Sequence, residues 1–159
     1  MALKKIVTGG QTGVDRGALD AALDAGFPCG GWCPTGRKAE DGAIPARYPL
    51  TALAGGYRSR TLRNVLESDG TVILQPGEPE GGTKQTLLYC QEHRKPCRIV
   101  DASRASPRQA AGQIAEFVSK ERISVLNVAG PRESKWPGAH DYAYSTVRHL
   151  LGVLPGRGC

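Results

Sequence analysis

Short, largely apolar runs recur along the chain, and each is followed by a stretch with helical spacing. The runs are Lys5 to Thr8, Gly70-Thr71-Val72-Ile73-Leu74, Cys97 to Asp101 and Ile123 to Val128. Runs of that length without polar alternation suit strands covered on both faces. Val14 to Ala25 sets Leu19, Ala22 and Leu23 on one helical face and stops at Gly26. Ser59 to Ser68, Thr83 to His93 and Pro107 to about Lys120 read as further helices, and a last one opens at Pro137 or Gly138 and ends near Leu151. Ser106 before Pro107 has the form of an N-cap followed by an N1 proline. Pro28 to Pro34 reads as a short extended piece and Arg37 to Tyr57 as a long loop, which Ile44, Tyr48 and Leu50 should hold against the body of the protein. The alternation predicts an α/β fold: a three-layer, Rossmann-like parallel sheet with helices on both faces. One ligand-binding domain is expected over residues 1–152, with a flexible tail over 153–159 that ends in Cys159.

In such a sheet, ligands sit at the carboxyl ends of the strands. Three loops there have unusual composition. The first, Thr8 to Gly17, offers Gly9, Gly10, Gln11, Thr12, Gly13, Asp15 and Arg16 between a strand and a helix. Unpaired N–H groups and the dipole at a helix N-terminus favour a phosphate or other oxyanion. The pattern is neither the G-x-G-x-x-G fingerprint nor a P-loop, so it predicts an anion without naming a nucleotide. The second loop, Gln75 to Thr83, offers Gly81, Gly82 and Thr83 to a second anionic group, with Glu78 and Glu80 expected to face away. The third, Asn127 to Lys135, offers Gly130, Pro131, Arg132 and Ser134, and Arg132 has the fork geometry to grip an oxyanion.

The segment Gly30 to Gly42 should lie beside the first loop, with Thr35, Arg37 and Lys38 as candidate contacts. Trp32 within it reads equally as a stacking surface for a planar ring or as a buried structural residue. Arg60 and Thr61 read as the surface start of a helix, with ligand contact as the lesser alternative. No catalytic constellation emerges. His93, His140 and His149 are scattered, no serine occupies a G-x-S-x-G turn, and Cys33 has no histidine near it in sequence.

The formal charge is +6 with pI near 9.2. No basic block is long and aromatics are few, so the charge is assigned to a phosphate-bearing ligand or the solvated surface, not to nucleic acid. No apolar run approaches the roughly 18 residues of a membrane span, and Met1-Ala2-Leu3 runs into Lys4-Lys5 with no apolar signal core, so the default location is the cytoplasm. Five cysteines without a paired C-x₂-C pattern predict reduced thiols and no structural zinc or other metal site.

Taken together, Gly9-Gly10-Gln11-Thr12-Gly13-Val14-Asp15-Arg16-Gly17-Ala18, Gly31-Trp32-Cys33-Pro34-Thr35-Gly36-Arg37-Lys38-Ala39-Glu40-Asp41-Gly42, Ser68-Asp69-Gly70-Thr71, Gly82-Thr83 and Asn127-Val128-Ala129-Gly130-Pro131-Arg132 resemble the molybdenum-cofactor carrier proteins. That family is similar to the wider Rossmann-like nucleotide-sensing and lysine-decarboxylase-like group. The resemblance implies that the chain binds and protects the molybdenum cofactor (molybdopterin), a pterin monophosphate with a dithiolene-bound molybdenum oxide. It also implies homo-oligomers, with molybdoenzymes or insertases as partners. A nucleotide-sensing module is the alternative binding role. The enzymatic alternative is a nucleoside-monophosphate phosphoribohydrolase, whose Pro-Gly-Gly-x-Gly-Thr-x-x-Glu signature carries a glutamate. Here Thr86 stands in its place, and threonine cannot stabilise an oxocarbenium ion as a carboxylate does, which favours binding over hydrolysis.

Overall fold

The computed structural model describes residues 3–153; Cys159 and the rest of the expected tail beyond Val153 lie outside them. Five strands form one parallel sheet: β1 (Lys5–Val7), β2 (Cys29–Gly30), β7 (Gly70–Gln75), β8 (Cys97–Asp101) and β9 (Val125–Ala129), in the order β2-β1-β9-β7-β8. The apolar runs are these strands, and the expected Rossmann-like architecture is present. Ile6, Val72, Leu74, Val100, Leu126 and Val128 alternate along them and share one buried cluster with residues of α1 (Val14–Asp24), α4 (Pro107–Lys120) and α5 (Ala139–Val153). These three helices pack side by side. Two others, α2 (Tyr57–Glu67) and α3 (Gly81–Glu92), pack against each other. Ser106 caps α4 in a capping box with Gln109, and Pro107 follows at N1.

The stretch read as a long loop contains more structure than expected. Its Thr51–Leu53 (β6) pairs in parallel with Trp32–Pro34 (β3), part of the piece read as extended, and Lys38–Ala39 (β4) pairs with Gly42–Ala43 (β5) as a small hairpin. Ile44, Tyr48 and Leu50 are buried with Leu19 and Cys33 in a second, smaller core, as their apolar character required. Among the described residues no helix is long and apolar enough to cross a membrane.

The topology sets the place of the site. From β1 the chain leaves through α1 to β2, and from β7 it leaves through α3 to β8 on the opposite side, while β9 lies between β1 and β7. The connections diverge at the carboxyl ends of these three central strands, and a crevice opens there.

Candidate ligand-binding site

A cleft of about 660 Å³ occupies that crevice, within the range of small-molecule sites. Gln11 and Asp15 line it from the loop after β1; Gln75, Glu80, Gly81, Gly82 and Thr83 from β7 and the start of α3; and Gly130, Pro131, Arg132, Lys135 and Trp136 from the segment after β9. The fourth side is α2, through Tyr57, Arg58, Arg60 and Thr61. Four cationic side chains (Arg58, Arg60, Arg132, Lys135) thus face two carboxyl groups (Asp15, Glu80), and Tyr57 and Trp136 supply aromatic surface. Glu80, expected to turn away, lies on the wall.

The start of α3 is open. Its N-cap position, Glu80, makes no side-chain capping bond, while its carbonyl accepts from the backbone N–H groups of Thr83 and Lys84. A Cβ at Gly81 or Gly82 would meet nothing within 4 Å. The N–H groups of Gly81 and Gly82, the first two of a 12-residue helix, thus have no backbone partner among the described residues, and both residues line the cationic cleft.

The first glycine loop is used differently. The Gly10 N–H donates to Thr8 Oγ1 at 3.1 Å, the Gln11 N–H to Asp15 Oδ2 at 3.2 Å, and the Val14 N–H to the Pro131 carbonyl at 3.2 Å. The carboxylate of Asp15 thus occupies loop amides, those of Gln11 and Gly9, that were expected to serve an external anion. Gly9 leaves space for the Arg60 guanidinium, since a Cβ there would lie 1.6 Å from Nη1; Gly10 packs on Leu50, and Gly13 on the backbone of residues 131–133.

Other expected contacts hold the loops together, and of their residues only Gln11 also lines the cleft. Arg16 donates to the Gly10 carbonyl and bidentately to Asp41 at 2.8 and 3.0 Å. Thr12 and Ser134 both bind the Glu40 carboxylate, which ties the loops after β1 and β9 to the hairpin. Gln11 Nε2 reaches the Lys38 carbonyl, so the backbone of Lys38 is the group engaged there. Arg37 donates to the carbonyls of Ile44, Pro45, Tyr48 and Leu50, and Thr35 to those of Leu53 and Gly55. Trp32 is half-buried, donates to Glu67, lies under the Arg63 guanidinium and is not among the residues that line the cleft. His140 joins a network with Asp20, Tyr48 and Arg47 across α1 and α5.

Arg60 is the residue that the sequence most undervalued. It reaches to within 3.7 Å of Asp15. Burial pushes the Asp15 carboxyl up to about 6, against the pull of Arg60 and of the Gln11 and Gly9 N–H groups. A folded-state pKa above the unfolded value near 3.8 means that the folded form holds the extra proton between those values. The resulting stability is complete below about pH 4 and is lost as pH rises through about 6. Urea unfolding midpoints measured from pH 4 to 7 are expected to show this decline. Asp15→Asn should remove that component, and an unchanged slope in the variant would assign the decline elsewhere.

The circularly permutated YpsA SLOG family model matches residues 6–151. A crystal structure of a "putative molybdenum carrier protein" from Syntrophus aciditrophicus is 41% identical, with a TM-score of 0.91, and the match covers 94% of this chain and 96% of that one. No curated protein matches.

Proposed function

Because the chain belongs to the circularly permutated YpsA SLOG family, we propose that its cleft binds the molybdenum cofactor and carries it unchanged. The observation that supports this most directly is the open N-terminus of α3 inside a cationic cleft. It offers a seat for the terminal phosphate, with the Gly81 and Gly82 N–H groups and the Thr83 hydroxyl as the donors. Tyr57 and Trp136 flank space for a planar pterin, and Arg132 and Lys135 provide charge for the oxyanion of the metal group. The printed name of the Syntrophus relative agrees with a carrier role. Thr86, on the cleft wall, donates its hydroxyl to the Gly82 carbonyl at 3.1 Å and places no carboxylate where the related hydrolases use one. A cytoplasmic location, homo-oligomer formation and delivery to molybdoenzymes or insertases belong to the same proposal.

The test is metal analysis and mass spectrometry of protein purified anaerobically, with fluorescence of the oxidised pterin. Molybdenum and pterin in near-equal amounts support the carrier reading. A co-purifying nucleotide replaces it with the sensor reading, and release of free base from a nucleoside monophosphate replaces it with the hydrolase. Arg132 is exposed on the wall, and Arg132→Ala is expected to weaken binding of the phosphate-bearing pterin by about 1–3 kcal/mol. Titration calorimetry reads this, and unchanged affinity would remove Arg132 from the site.

A further inference from the structure

Two side-chain atoms among the described residues are buried with no hydrogen-bond partner in the protein: Arg60 Nε and Gln75 Oε1. Both residues stand on the wall of the same cleft. Buried polar atoms are normally paired, so such a coincidence calls for an account. The two are also complementary in kind, one an N–H donor and the other a carbonyl acceptor.

Their orientation is fixed by the protein. Gln75 ends β7 and is only 3% exposed. Its Nε2 donates to the Glu78 carbonyl at 2.5 Å. A backbone carbonyl can only accept, so the amide cannot be turned round, and Oε1 is the end left over. The loop that supplies this carbonyl is itself anchored by the Gly77 N–H on Asp101 at 2.9 Å. Arg60 is held by Asp15 through Nη1 and lies 5.8 Å from the centre of the Tyr57 ring.

We propose that Gln75 and Arg60 read the lactam edge of a bound heterocycle, Gln75 Oε1 accepting the ring N3–H of a pterin and Arg60 Nε donating to the adjacent carbonyl O4. The assignment rests on the reading of the cleft as a site for a phosphate-bearing pterin. It divides the work of the site: the start of α3 takes the phosphate, which many metabolites carry, while Gln75 and Arg60 select among them. A sugar phosphate satisfies the first group and leaves the second unpaired, and discrimination of that kind is strong because the penalty falls on the site's own buried groups.

The probes are the oxidised, metal-free, phosphate-bearing pterin obtained from the cofactor, the same pterin methylated at N3, and inorganic phosphate as competitor. All are measured with the full chain. N3-methylation removes the donor and is expected to weaken binding to the wild-type protein at least tenfold. Gln75→Leu should weaken the unmethylated pterin by a similar factor, bring the two pterins to equal affinity and leave the phosphate competition constant unchanged. The wild-type comparison needs no variant, so it decides the matter even if Gln75→Leu does not fold. Equal affinity of the two pterins for wild-type protein, with phosphate still competing, overturns the edge-reading role and leaves the phosphate site standing. Failure of both pterin and phosphate to bind overturns both.

Discussion

Gly13→Ala is expected to destabilise the protein by about 2–6 kcal/mol, through two separate costs. Gly13 has φ 79° and ψ −128°, a combination that side-chain-bearing residues rarely adopt. A Cβ there would also lie 2.4 Å from the Pro131 carbonyl oxygen and 2.7 Å from the Glu133 nitrogen, both backbone atoms that cannot swing aside. Strain of about 1–3 kcal/mol for the dihedrals and a similar amount for the overlap give the range. Gly26→Ala is the control. Gly26 also has positive φ, at 65°, but its Cβ would meet nothing within 4 Å, so only the strain remains. Urea unfolding of the two variants separates the contributions, and equal losses would show that the approach of the β1 and β9 loops is not tight. The prediction changes how binding data on this loop are read. Lost affinity in a Gly13 variant reports the collapsed junction between two loops together with any ligand contact, and does not by itself assign the latter.

That reassignment shows where sequence reasoning reached its limit. The parallel sheet was legible because Val72 to Leu74 is apolar without alternation and Val125 to Val128 is apolar but for Asn127, and burial on both faces is the usual reason for such a run. The packed state of the long loop was legible from Ile44, Tyr48 and Leu50. Its strands β4 to β6 were not, since two- or three-residue strands carry no readable period. The three strand-end loops were correctly brought together by the α/β alternation, but which of them had free donors was a tertiary matter. One local signal did exist: Asp15 follows Gln11 by four residues in the first turn of α1, where a carboxylate can turn back onto the loop amides. No comparable signal marked Arg60. Its helix is polar on most positions and reads as a surface element, and only the crossover from β6 to β7 brings its start over the cleft. Gln75 was hidden likewise, as the last residue of a strand whose side chain is fixed by a carbonyl three residues on.

Gly82→Asp is expected to weaken binding of inorganic phosphate and of the phosphate-bearing pterin by about 3 kcal/mol, more than 100-fold, while the fold persists. Gly82 is the second residue of α3, its φ is not positive, and a Cβ there would meet nothing within 4 Å, so an added side chain is accommodated without strain. An aspartate in the first turn of a helix is favourable in itself, because it satisfies N–H groups and complements the dipole. Those same interactions are what defeat the ligand: the new carboxylate takes the donors assigned to the phosphate and repels whatever anion remains. The model for this competition is already in the molecule, where Asp15 accepts from the loop amides at the start of α1. Gly82→Ala provides the contrast. It keeps every amide, adds no charge and raises helix propensity, so binding should stay within a few-fold of wild type and the thermal midpoint should not fall. Titration calorimetry with inorganic phosphate on the three proteins makes the comparison, and normal phosphate affinity in Gly82→Asp would place the anion away from α3. High salt offers a second check, since the difference between Gly82→Asp and Gly82→Ala should narrow as ionic strength screens the part due to repulsion, leaving the part due to occupied N–H groups. A gap that survives screening is therefore the signature of donors already taken, and its size measures how far the start of α3 dominates the affinity of the cleft.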